Sequence, residues 1–490
     1  MKHQVLRVSL AVVVGGCAAT RELPPGYDRA SPIVSLSASA YPRLKSGIDT
    51  LLGADLFPPS NAAIKIVSLD RHETLYELNG DLLFTPASNQ KLFTAALALR
   101  ELGPGYQLST RFLVDSAGRR LYIKGYGDPL LSTADLDSIA ALLAPGLAAD
   151  QPWIISTDSR YFDDQYWGSG WTWDGVPYGY QAAITPLALD FNAVTVIVEP
   201  DTAGFFPPKV TTVPRTSYVS LTSAARSIPD TPAVRPPEIT RDWRDGGNRI
   251  TVDGDFSARR GKVRESVSVA RPDLYCGTVL AEKLGERGVK ISRVTADTVS
   301  PRAREMLVFR RALDTVITAM NKESINLCAE SLLKTVAAER CGTPGSAEAG
   351  LSRMRLMLAG MGIDSAAVRV ADGSGVSRYN LTSASALIRL LEGMHADSVL
   401  FRPFYHSLPI AGVDGTIGRR MRGSAAEGNL RAKTGTLSGV TSLSGYVRTA
   451  EGELLAFSML MQDFASGGDG YRAIQNRIGA LLASFRRSTL

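Results

Sequence analysis

Histidine is nearly missing from this chain: four residues, His3, His72, His395 and His406, among 490. None lies in a recognisable triad motif and Gly-x-Ser-x-Gly does not occur, so nothing points to a histidine-assisted serine hydrolase. Cysteine is as sparse, with four residues and no zinc-like spacing, so no metal or other cofactor is called for. No long block of Lys and Arg is present either. The net charge of +6 is spread thinly, the pattern of a solvated surface and not of a nucleic-acid partner. Beyond the N-terminus no run approaches the roughly 20 apolar residues that cross a bilayer as a helix. What is present is ordinary for a globular protein, 44% hydrophobic and 21% charged residues, in a length that implies two or three domains.

The N-terminus has the layout of a secretory signal: Lys2 and Arg7, the apolar run Val8 to Val14, then Gly15-Gly16-Cys17. Two readings stay open. Cys17 is the acylated first residue of a mature lipoprotein, or a plain signal is cut near Ala18-Ala19. Residues 1–17 are thus the signal, and 18–44, rich in Pro, Ser and Ala, a flexible tether. The expectation is an exported, periplasmic protein whose membrane attachment, if present, is through lipidated Cys17. Cys276, Cys328 and Cys341 then remain, an odd number, with Cys328 and Cys341 a candidate pair.

Along the chain, Ala62 to Leu78 reads as two strands turned at Asp70-Arg71-His72. Pro86 ends what precedes it, and Ser88 opens a helical run through Leu92, Phe93, Ala96, Leu97 and Leu99. About 230 residues separate Lys91 from Ser324, far too many for a loop, so folded material is inserted. Short strand-like runs at Val194–Val198, Tyr218–Leu221 and Ile250–Val252 make that insertion mainly β. A helix from about Asp273 to Leu284 and a strand near Val289 to Val294 mark the return. Asn326 begins another helix. Strands on both sides of Glu451-Gly452 and a closing helix from Tyr471 complete an α/β sandwich whose two ends meet in one antiparallel sheet. The expected organisation is a catalytic domain of residues 45–110 and 285–490, with 111–284 inserted.

The chemistry lies in three separated pieces: Ser88 with Lys91, Ser324 with Asn326, and Lys433-Thr434-Gly435. Each alone has a bland reading, as a helix cap, a solvated lysine, a helix start or a strand before a turn. Ser331 and Lys334 repeat the first spacing and read as packing and surface positions. Together and in this order the pieces make an acyl-transfer site. Ser88 is the nucleophile. Lys91 is its base if burial and a second cation, Lys433, lower its pKa from about 10.4. Ser324 relays a proton, and the Asn326 amide orients Lys91 or binds a carbonyl. Lys433 and Thr434 suit a terminal carboxylate, and Gly435 allows a substrate backbone close to the strand. Backbone N–H groups of Ser88 and Thr436 are candidates for the oxyanion hole.

These residues resemble the class C low-molecular-mass penicillin-binding proteins, the D-alanyl-D-alanine carboxypeptidase/endopeptidases. The similarity covers nearly everything from Lys45 onward. It extends to Gly125-Tyr126-Gly127-Asp128-Pro129, Gly170-Trp171-Thr172-Trp173-Asp174, Asp372 to Arg378 and Val413-Asp414-Gly415-Thr416. It implies a penicillin-binding, transpeptidase-like α/β sandwich with two inserted, mainly β domains, peptidoglycan peptides as substrates and β-lactams as inhibitors that acylate Ser88. It also implies Arg378 and Asp174 as substrate contacts. Gly175 departs from the family, which often has a second acidic residue there for the diaminopimelate amine. A β-lactamase or esterase with the same machinery, and a silent wall-binding protein, remain as alternatives.

Overall fold

A computed structural model describes residues 41–53, 60–147, 150–204, 206–229, 234–465 and 467–487. The signal segment, Cys17 and the tether up to residue 40 lie outside them. The tether's expected end is corrected: Pro42–Leu52 is a helix with Leu44 and Ile48 buried, because apolar residues four apart share one face. No helix among the described residues is long and apolar enough to cross a membrane.

The two ends of the chain meet in one sheet. Asn61–Ser68 pairs antiparallel with Leu454–Gln462 on one side and Glu73–Leu78 on the other. Val440–Arg448 and Arg431–Leu437 extend it to a five-stranded antiparallel sheet with Arg431–Leu437 at the edge. The three strands in its middle bury nearly every residue, so both faces must be covered. Gly468–Ser484 and Pro42–Leu52 cover one face, with Ile48, Phe457 and Ile478 in that core. A larger bundle covers the other, including Gln90–Leu102, Asn326–Cys341 and Ala384–His395. Gln90–Leu102 is buried on all sides from Gln90 to Leu99, and Asn326–Cys341 from Leu327 to Ala338. Helices buried on every side, even at Lys91, Glu330 and Lys334, run through the centre of a core. Side chains at their N-terminal ends are therefore held in fixed positions.

The insertion leaves and returns at a neck where Leu313 N–H donates to Tyr106 C=O, 3.0 Å. Between these residues stands a mixed five-stranded sheet in the order Ile291–Ala296, Trp153–Asp158, Arg120–Tyr126, Gln107–Asp115, Arg304–Ala312. Residues 285–312, assigned by sequence to the catalytic layer, thus contribute two strands to the inserted sheet. Smaller sheets, such as Val263–Ser268 with Ala193–Glu199 and Lys209–Val213, share one apolar core with it.

Cys328 and Cys341 do not pair. They lie at opposite ends of Asn326–Cys341, about 20 Å apart at 1.5 Å per residue, beyond disulfide reach. Burial raises the thiol pKa of Cys276 and Cys328, so both are inert; Cys341 is exposed.

Candidate active site

Ser88 sits in the single turn Ala87–Asn89 that runs straight into Gln90–Leu102. The turn is pinned beneath the sheet: Ser442 Oγ donates to Pro86 C=O at 2.8 Å and Asn89 Nδ2 to Ser444 Oγ at 2.7 Å. Ala87 takes φ +48, a left-handed conformation that costs about 1 kcal/mol or more in a non-glycine residue. Two glycines admit the turn. A Cβ on Gly375 would stand 1.8 Å from Ala87 C=O, and one on Gly435 2.6 Å from Pro86 C=O. The absent side chain of Gly435 therefore makes room for the nucleophile's own turn, where the sequence suggested room for a substrate backbone.

Lys91 lies one turn on, fully buried. Its Nζ is 3.0 Å from Ser88 Oγ, 2.6 Å from Asn326 Oδ1 and 2.6 Å from Ser374 C=O. A neutral amine has two N–H bonds and one lone pair. Two of its three neighbours are carbonyl oxygens that can only accept, so both N–H bonds go to them. The lone pair is left for the Ser88 hydroxyl, the arrangement a general base requires.

Burial lowers the Lys91 pKa to about 8, while the carboxylates of Asp372 and Glu330 act to raise it. Lys433 is also fully buried, and its pKa is lowered well below the usual lysine value, by burial first and then by the charge of Lys91. Lys433 Nζ donates to Ser324 Oγ, 2.8 Å, and to Thr434 C=O, 3.0 Å. Ser324 is left-handed at φ +60, a second strained residue at the site.

The Asp372–Arg378 loop is built around two buried carboxylates. Asp372 accepts from Gly375 N–H and Ser377 N–H at 2.7 Å each, from Asn380 Nδ2 at 2.7 Å and from Trp171 Nε1 at 2.9 Å. Glu330, one turn after Asn326 on the same helix, accepts from Gly373 N–H at 3.0 Å and Ser374 N–H at 2.8 Å. Its pKa is raised by burial, then by Asp372. Together they hold Ser374 C=O against Lys91.

Thr434 Oγ1 donates to Thr416 Oγ1 at 2.8 Å, which brings the Gly415–Ile417 turn to the same edge. Arg378 is exposed and donates to Ser438 C=O at 2.5 Å, just beyond that strand. Thr436 is exposed on the strand. Asp174 is exposed in the turn Trp173–Gly175, close enough to Tyr180 for its charge to act there. Tyr180 C=O accepts from Asn326 Nδ2 at 2.7 Å. Lys334 corrects an expectation: it is buried, with Nζ 2.5 Å from both Asp163 Oδ1 and Gln165 C=O. Thr416 and Ser374 lie in stretches that carry the family resemblance in the sequence, with no role assigned to them there, whereas Glu330 and the carbonyl of Tyr180 lie in none of those stretches. Glu330 is legible only as an acid four residues after Asn326 in a mostly apolar run.

The model of the D-Ala-D-Ala carboxypeptidase 3 (S13) family matches residues 44–484. A D-alanyl-D-alanine carboxypeptidase of Actinomadura sp. is 33% identical over 94% of this chain and 89% of its own length. One from Haemophilus influenzae is 25% identical over 83% and 86%. Among solved structures, penicillin binding protein 4 of Haemophilus influenzae covers 89% of this chain and 99% of its own, with TM-score 0.77 and 23% identity. A second structure of it, complexed with a β-lactam, has TM-score 0.72. The chain belongs to the D-Ala-D-Ala carboxypeptidase 3 (S13) family.

Proposed function

We propose that this family member is a serine-type D-Ala-D-Ala carboxypeptidase of peptidoglycan stem peptides, working through an ester on Ser88. The observation that carries the reading is the three-way bonding of Lys91 Nζ to Ser88 Oγ, Asn326 Oδ1 and Ser374 C=O. The stem peptide lies extended along Lys433–Leu437, the open edge of the sheet. Ser88 Oγ bonds to the penultimate D-alanyl carbonyl carbon as its proton passes to Lys91. The oxyanion is stabilised by the N–H groups of Ser88 and Thr436. Ser324, bonded to Lys433, passes a proton to the leaving amine and is reprotonated with the proton Lys91 took from Ser88, so terminal D-alanine departs and Lys91 is neutral again. Water then attacks the ester, Lys91 takes its proton, and Ser88 is regenerated.

The second serine and second lysine assist proton transfer, while Lys433 and Thr434 face the terminal carboxylate and Arg378 and Asp174 the side chain. A β-lactam acylates Ser88 in the same way, in keeping with the relative solved as a β-lactam complex. Cleavage of D-alanyl cross-links uses the same steps with a longer leaving group. Export by residues 1–17, and a lipid on Cys17, belong to the same proposal. So does the division into a catalytic domain and an insertion, now drawn at Gln107 and Ala312. The test is intact-mass analysis after exposure to a penicillin: one adduct is expected, absent from Ser88→Ala. No adduct on the wild type, or one retained by Ser88→Ala, would overturn it.

A further inference from the structure

A second cavity, about 220 Å³ in volume, lies within the insertion behind the Val176–Thr185 segment, and no residue of the catalytic cluster lines it. Its walls are mostly apolar, and Trp167 and Trp243 contribute aromatic faces. Arg241 also lines it and is only 5% exposed. Its guanidinium donates to Gly247 C=O at 2.8 Å and Ser268 Oγ at 3.2 Å, both neutral, and Nε has no partner. Among the described residues no carboxylate pairs with Arg241. The charges of Asp242 and Asp245 reach Arg241 without an ion pair; arginine stays charged in proteins, and a buried charge with no counter-ion in contact is unfavourable until an anion arrives.

Two further features favour an anion here. Arg271 lines the cavity, and the helix Pro272–Gly285 starts at it. The one lining carboxylate, Asp273, is already engaged. It accepts from Arg271 at 3.0 and 2.8 Å and from Thr157 Oγ1 at 3.2 Å. It has little left for a ligand ammonium, so within this cavity an acylated, uncharged ligand nitrogen is favoured, while Asp158, Asp163, Asp164 and Asp297 line only the adjoining cleft. The volume suits one small residue and not a drug-sized molecule. Arg271 and Asp273 also line an adjoining polar cleft of about 940 Å³, which can take the remainder of a chain.

We infer that this cavity binds the terminal carboxylate of an N-acylated small amino acid, the C-terminus of a peptide, at a site separate from Ser88. The carboxylate engages Arg241 and the small side chain meets the apolar wall. The inference does not depend on the acyl-transfer reading.

The experiment is titration of the purified full chain with N-acetyl-D-alanine and N-acetyl-L-alanine, followed by calorimetry and tryptophan fluorescence. Binding is expected to weaken at least tenfold in Arg241→Leu and in Ala183→Leu, which fills the wall while leaving Arg241 in place, and to persist in Lys433→Ala. Free D-alanine is expected to bind at least tenfold more weakly than its N-acetyl form. A preference for D identifies a wall peptide as the source and one for L a protein C-terminus; either upholds the site. Should Arg241→Leu fail to fold, Ala183→Leu decides. Unchanged binding in Ala183→Leu, no binding to the wild type, or loss confined to Lys433→Ala would overturn the inference.

Discussion

Ser88 and Lys91 share their spacing with Ser331 and Lys334, and both lysines end up buried beside a central helix. Their surroundings differ in one respect. Lys334 meets a carboxylate, Asp163, at 2.5 Å, whereas Lys91 is directly bonded only to neutral oxygens. A carboxylate in contact holds the proton on an ammonium; neutral carbonyls leave a buried amine free to lose it. Ser331 Oγ is buried with no hydrogen-bond partner, while Ser88 is partly exposed and within 3.0 Å of its lysine. One pair is therefore built for proton transfer and the other for holding the Asn326–Cys341 helix to the insertion.

The largest effect that would break this contrast is on turnover. Ser88→Ala is expected to lower D-alanine release from a stem pentapeptide by about 10⁴-fold or more. Ser331→Ala is expected to leave it within about twofold. Comparable losses from both would mean that the contrast is mistaken.

Gly375→Ala should come next. Its Cβ would collide with Ala87 C=O, one residue before the nucleophile, and φ at Gly375 is +84. Displacing Ser88 by about 1 Å is expected to cost about 100-fold in kcat. Acylation by a β-lactam should slow in step. A variant with wild-type acylation rates would show that the turn does not depend on this close approach.

Lys334→Met tests the other pair through stability. Breaking a buried ion pair costs about 3–5 kcal/mol, and because the Asp163 side chain is 21% exposed the expected loss is nearer to about 2 kcal/mol. Urea unfolding measures it. Turnover should fall less than about fivefold, since Lys334 does not contact the reacting groups.

The sequence made the contrast only half visible. Ser88, Lys91, Ser324, Asn326 and Lys433 were legible because their chemistry resides in side chains at short spacings on helices and one strand. Ser374 and Tyr180 act through main-chain carbonyls, which any residue type could supply. The burial of Lys334 depends on Asp163, 171 residues away, and so leaves no local pattern. Arg304–Ala312 is half-buried along much of its length, without the clean alternation of a strand. Its partner Gln107–Asp115 lies on the far side of the insertion, and the domain edge was misplaced accordingly.

The smallest effect probes the setting of Lys91. Glu330 bonds the backbone of Gly373 and Ser374, and its ionised form acts to keep the proton on Lys91. Burial and then Asp372 raise the Glu330 pKa. The ionised Glu330 carboxylate acts to keep the proton on Lys91, whose pKa is about 8, and so delays its loss as pH rises. Glu330→Gln removes that charge and keeps an acceptor for the loop. The neutral fraction of Lys91 then grows at lower pH, and the acid limb of kcat/KM should move down by about half a unit. Glu330→Leu also loses the acceptor and should lower kcat at every pH. A merely structural glutamate would give both variants a lower rate with the limb unmoved. A downward shift in Glu330→Gln at near-normal kcat identifies it as the carboxylate that sets when Lys91 becomes a base, something Asp163, bonded directly to Lys334, cannot do for that lysine.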